Sequence, residues 1–158
     1  VEDELENVKS YMEIQQIRNV DLFEYEIDCQ VNAKENKILK LILQPLVENA
    51  VKYGFSEIYE GGYIRIRITE ENDVLVLSDN NTGKTMNNVM VEKINGLTHL
   101  PISQIKEAFP DKKHGYGVFN ILTRLRLKYG DKITYYYETT DASTTCTIKV
   151  PKGGEQES

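Results

Sequence analysis

The stretch Tyr63-Ile64-Arg65-Ile66-Arg67-Ile68-Thr69-Glu70-Glu71-Asn72-Asp73-Val74-Leu75-Val76-Leu77-Ser78-Asp79 decides the fold class. Ile64, Ile66 and Ile68 alternate with Arg65 and Arg67, the period of a strand with one face in a core. Residues 74–79 are a short apolar run, and the polar link 70–73 joins the two segments as a hairpin. Outward from it, residues 21–28 alternate apolar and acidic side chains, as a half-buried strand does, and 132–139 with 143–150 read as a final hairpin.

Helical periods lie between these strands. The strongest covers 37–53, where Ile38, Leu39, Ile42, Leu43, Leu46, Val47, Ala50 and Val51 form a broad apolar face ending at Gly54. Pro45 lies inside that span, where it is expected to cost a hydrogen bond and kink the helix. A second helix is predicted at 118–129, closed by Gly130, and a mostly polar one at 2–18, with Leu5, Val8 and Met12 as a thin stripe. Residues 81–116 lack a strong period and form a long connection with room for short helices at 87–95 and 103–109. Hairpins alternating with helices predict an α+β fold, a mostly antiparallel sheet with helices on one face.

The 158 residues, 40% hydrophobic and 28% charged, fit one globular domain. A net charge of −6 argues against a nucleic-acid partner, and no apolar run is long enough for a membrane span. Val1-Glu2-Asp3-Glu4 has no apolar leader character, and a chain opening on Val reads as excised from a longer protein. Cys29 and Cys146 are the only cysteines and are expected to be reduced, in a cytoplasmic setting.

Three clusters carry chemistry. In Glu48-Asn49-Ala50-Val51-Lys52-Tyr53, the residues Asn49, Lys52 and Tyr53 share a helix face suited to a metal–phosphate group, or to plain solvent. In Ser78-Asp79-Asn80-Asn81-Thr82-Gly83, a carboxylate stands near the end of an apolar strand, placed to accept from a ligand amine; Asn81 and Gly83 both tolerate positive φ. A simple Asp-Asn turn accounts for this segment equally well taken alone. In His114-Gly115-Tyr116-Gly117-Val118-Phe119-Asn120, two glycines precede a helix and free backbone N–H groups for an anion, though glycines cap many loops. The tripeptide Gly83-Lys84-Thr85 is not a Walker loop, since the position five residues earlier is Ser78.

In this order the clusters resemble the ATP-binding catalytic domain of sensor histidine kinases of the LytS/YesM-like type, within the GHKL (Bergerat-fold) ATPases. Leu43 to Gly54 resembles the N box, Asp79 to Gly83 the first glycine box, and Gly115 to Gly130 the second glycine box with its helix. The resemblance spans about residues 5–151 and implies a two-layer α/β sandwich. It divides the chain into the end of a dimerisation and phosphoacceptor helix (1–18), a catalytic domain (19–152) and a disordered tail (153–158).

The resemblance also implies roles. Asn49 would ligate Mg²⁺ and act in catalysis with Lys52; Lys52 and Tyr53 would touch the phosphates of ATP. Asp79 would accept from the adenine amino group, and Gly83 would let backbone approach the base. Residues 84–114 would be a mobile lid. Met86, Gly115, Gly117, Val118 and Asn120 would complete the nucleotide site, and Thr145, six residues before Pro151, would support adenine from a late strand. Partners implied are ATP, upstream histidine-bearing helices and a response regulator, in a membrane-anchored homodimer with this domain in the cytoplasm.

The chain departs from the pattern at Asn81, where the family usually has Gly, at Lys84 and Thr85, which precede Met86, and at Tyr53, where the nearest subfamily has His. The hydrolytic members place a water-activating Glu four residues before the N-box Asn; here that residue is Pro45, which favours phosphoryl transfer. His99 and His114 fall in the lid segment, so neither is expected to be the phosphoacceptor. A degenerate domain serving as an interaction module and a serine kinase of the anti-sigma-factor type are the competing readings.

Overall fold

Asn72 and Asp73 take φ of 50° and 65°, and Glu71 pairs with Val74 across them. This two-residue turn twists as the flanking strands do, so it closes a tight hairpin. It is shorter than the four-residue link predicted because Glu70 and Glu71 continue the first strand. The computed structural model describes residues 1–18, 23–32, 42–49, 51, 62–83, 88–108, 116–140 and 142–152.

The chain runs α1 (Glu2–Arg18), β1 (Phe23–Cys29), α2 (Leu43–Asn49), β2 (Gly62–Glu71), β3 (Val74–Thr82), α3 (Asn88–Leu97), α4 (Ile102–Ala108) and α5 (Tyr116–Tyr129). A short 3-10 turn at Gly130–Lys132 follows, then β4 (Thr134–Thr139) and β5 (Ser143–Pro151). Gly130 has φ 67°, the left-handed stop expected after the helix. The five strands form one sheet in the order β1-β2-β3-β5-β4, in which β1 and β2 are parallel and the other pairs antiparallel. The single parallel pair follows from placing α2 in the connection between β1 and β2. The mixed, mostly antiparallel sheet is the α+β architecture expected.

One face of the sheet meets the helices. Ile64, Ile66 and Ile68 of β2, Leu75 and Leu77 of β3, and Ile148 and Val150 of β5 are buried with Leu43, Leu46 and Val47 of α2 and Ile121, Leu122 and Leu125 of α5. Each such side chain contributes about 1.5–3 kcal/mol. The opposite face is polar: Arg65 pairs with Glu26 at 3.6 Å and Arg67 with Asp28 at 3.2 Å.

Two predictions are corrected. Ile42 lies in a bend and α2 begins at Leu43, so Pro45 occupies the first helical turn, where no intrahelical N–H bond is forgone. The start of α2 is capped from a distance. Glu4 of α1, 5% exposed, accepts from the backbone N–H of Ile42 at 2.9 Å and of Leu43 at 3.0 Å. Residues 37–41, 50 and 52–54 of the predicted helix span lie outside the described residues.

The second correction concerns the long connection. Its short helices are present, but 88–108 is not poor in buried contacts. Ile94, Leu97 and Ile105 join the core. Asn95 of α3 clamps the edge of β4, accepting from Tyr137 N–H at 2.8 Å and donating to Tyr137 O at 3.0 Å. Thr98 donates to Tyr135 O at 2.7 Å, and Arg126 of α5 donates to the carbonyls of Thr98 and Leu100. Side chains thus satisfy an edge that a sixth strand would otherwise cover. Of the span expected to form a lid, 84–87 and 109–114 lie outside the described residues.

Candidate functional site

Strand alternation in β3 sends Leu75, Leu77, Asp79 and Asn81 to the helix-facing side. Three of the four neighbours this gives Asp79 are apolar or weakly polar: Leu77 beside it, Ile66 across β2 and Cys146 across β5. Asp79 is 3% exposed, and its Oδ1 has no hydrogen-bond partner among the described residues. Burial pushes its carboxyl up to about 7. A buried acceptor left empty costs roughly 1–3 kcal/mol.

The wall beyond Asp79 is polar. The hydroxyls of Tyr135 and Tyr137 lie 3.2 Å apart, their rings tilted at 52°, and both interact with the Cys146 thiol. Burial raises the pKa of both phenols and of the thiol, so all three are neutral and Cys146 is a poor nucleophile. Both cysteines are free, as expected.

The glycine-box turn differs from expectation at one residue. Gly83 has φ 104°, a conformation suited to Gly, but Asn81 is extended and paired with Ile64 and Thr144. Its tolerance of positive φ is therefore unused, and its 6%-exposed side chain lies on Asp79's face.

Thr145 is not brought to that face. It pairs with Asn80, whose Nδ2 donates to Thr145 Oγ1 at 2.6 Å on the polar side of the sheet. The residue opposite Asn81 on Asp79's side is Thr144, 7% exposed. The signal was present in the sequence: counting back by twos from Val150 and Ile148 reaches Cys146 and then Thr144, never Thr145. Thr144, Cys146 and the tyrosine pair are the residues that sequence reasoning missed here.

The other predicted positions are placed by their elements. Asn49 is the last residue of α2, and Gly117 and Val118 stand in the first turn of α5, which packs on α2. Asn120, also on α5, is exposed. Lys52, Tyr53, Met86 and Gly115 lie outside the described residues, as do the side chains of Asn49 and Val118. No group of three or more metal-ligating acidic, His or Cys side chains occurs among the described residues.

The family model for histidine kinase-, DNA gyrase B- and HSP90-like ATPases matches residues 34–154. The chain belongs to this family. It is a family of ATPases, and Asp79 stands on the strand that ends in the Gly83 turn. Among relatives, the sensor protein LytS of Streptococcus mutans is 30% identical over 99% of this chain and 26% of its own length. The sensor protein kinase HptS of Staphylococcus aureus is 31% identical over 94% of this chain and 27% of its own. The chain thus spans about a quarter of the length of these relatives. Among solved structures, a nucleotide-free catalytic domain of histidine kinase ThkA superposes with TM-score 0.69 at 17% identity, covering 95% of this chain and 92% of that one. ThkA in complex with the response regulator TrrA superposes with TM-score 0.66 at 14% identity, covering 99% of this chain and 42% of that one. These likenesses carry the fold.

Proposed function

We propose that the chain is the ATP-binding catalytic domain of a two-component sensor histidine kinase, donating the γ-phosphoryl group of ATP to a histidine borne on helices upstream of Val1. The buried, unpartnered Oδ1 of Asp79 carries this reading. An adenine amino group supplies the missing donor, whereas a 6-keto purine would set oxygen against oxygen.

A bound Mg²⁺ would supply charge neutralisation to the phosphates. Asn49, at the end of α2, fits it as a neutral oxygen ligand. Lys52 and Tyr53, next along the sequence, would contact the phosphates, and Gly115 and Gly117 would offer backbone N–H groups to the anion. Pro45, in the first turn of α2, can abstract no proton from water, which supports transfer over hydrolysis. His99 is exposed in the turn between α3 and α4 and is not itself carried on a helix. The response regulator is the acceptor's partner in this reading, and the whole protein is a membrane-anchored dimer. Among the described residues no helix is long and apolar enough to cross a membrane.

Two assays test the proposal. Asn49→Ala should weaken binding of an ATP analogue in Mg²⁺ and leave binding in EDTA nearly unchanged. Radiolabelled ATP should leave no acid-labile phosphate on this chain alone, and should label a histidine when the upstream helices are included. Labelling of His99 or His114 would overturn the reading, as would equal loss of binding with and without Mg²⁺.

A further inference from the structure

Asn81 is the second polar side chain on the buried face of β3, two residues beyond Asp79. Its backbone is extended and paired on both sides, so conformation does not explain an amide at this position. Nor does space-filling alone, because the amide is oriented. Its Nδ2 donates to the Thr82 carbonyl at 3.0 Å, and Thr82 Oγ1 in turn accepts from Tyr63 N–H at 2.9 Å. That bond holds Nδ2 at the Thr82 carbonyl and so sets Oδ1 on the other side of the amide.

We infer that Asn81 is a specificity-determining residue of the base pocket, presenting Oδ1 as a second acceptor beside Asp79 to the exocyclic amino group of the purine. The inference rests on the reading of Asp79 as the adenine contact. Residues i and i+2 of a strand lie about 6.6 Å apart on one face. Two hydrogen bonds of about 2.9 Å each, with one amino nitrogen between them, span nearly that distance. An amino group has two hydrogens, one for each acceptor. A keto oxygen meets two acceptors and satisfies neither. Cys146 and Thr144, across β5 from Asp79 and Asn81, close the same patch and add no charge.

The test is the affinity ratio of AMPPNP to GMPPNP, read by calorimetry on the 158-residue chain and its variants. Asn81→Ala should weaken AMPPNP about five- to tenfold, leave GMPPNP unchanged or tighter, and so lower the ratio. Asn81→Gly, which also lacks the oxygen, should behave alike, and Asn81→Asp, which keeps an acceptor, should retain the preference. A general loss of fold would weaken both nucleotides together, and thermal melts identify it. If wild type binds AMPPNP in an Asp79-dependent way but Asn81→Ala and Asn81→Gly keep the full ratio, the inference on Asn81 is wrong while the site stands. If Asp79→Asn leaves AMPPNP binding untouched, the site reading itself falls.

Discussion

Asp79 sets the residue scale because its burial has a measurable consequence without any ligand. Its carboxyl is raised from 3.8 to about 7 by desolvation, so the folded state holds a proton that the unfolded chain has released. The sign follows. Its contribution to stability is most favourable below about pH 4 and is lost progressively as pH rises through about 7. Asp79→Asn should therefore raise the melting temperature of the nucleotide-free domain at pH 8, with the gain shrinking toward pH 4. A pH-independent difference in thermal melts would contradict this. Asp79 itself was legible in the sequence, since an acid after Val74-Leu75-Val76-Leu77 in a strand pattern must share a face with Leu75 and Leu77. Thr145 was misplaced because the resemblance was matched by distance from Pro151, while the pleat sorts residues by parity.

At the scale of elements, helix and strand identity was legible and docking was not. Periodicity located α5 and both hairpins to within a few residues. It could not show that Asn95, a polar residue in a weakly periodic segment, is the clamp on β4. Side-chain bonds to a backbone edge leave no period behind. The clamp predicts that amide exchange within 88–108 is slow without nucleotide, so any ligand-dependent protection is largest outside that span. Asn95→Ala should destabilise the domain by about 1–3 kcal/mol in denaturant unfolding, since it leaves the N–H and C=O of Tyr137 without these partners. The join between α1 and α2 is of the same kind. Glu4→Ala would leave the Ile42 and Leu43 N–H groups without their acceptor, costing roughly 2–4 kcal/mol. Glu4→Gln keeps one acceptor oxygen and should recover much of that. Equal stability of wild type and Glu4→Ala would show that this cap contributes nothing to the fold.

The whole molecule is a mixed sheet with one face given to helices and the other to ion pairs. The proposed function sets a nucleotide against the helical face, where Asp79 Oδ1 has no partner among the described residues. The most direct measurement of that claim is calorimetry of AMPPNP with Mg²⁺ near pH 7, repeated in buffers of different ionisation enthalpy. Accepting the adenine amino group favours the ionised carboxylate, so a carboxyl pushed up to about 7 by burial is expected to give up a fraction of a proton on binding. Asp79→Asn is the control for protons released by the nucleotide itself. The account predicts that wild type binds at least tenfold more tightly than Asp79→Asn and releases that extra fraction of a proton. Equal affinity and equal proton release in the two proteins would contradict it.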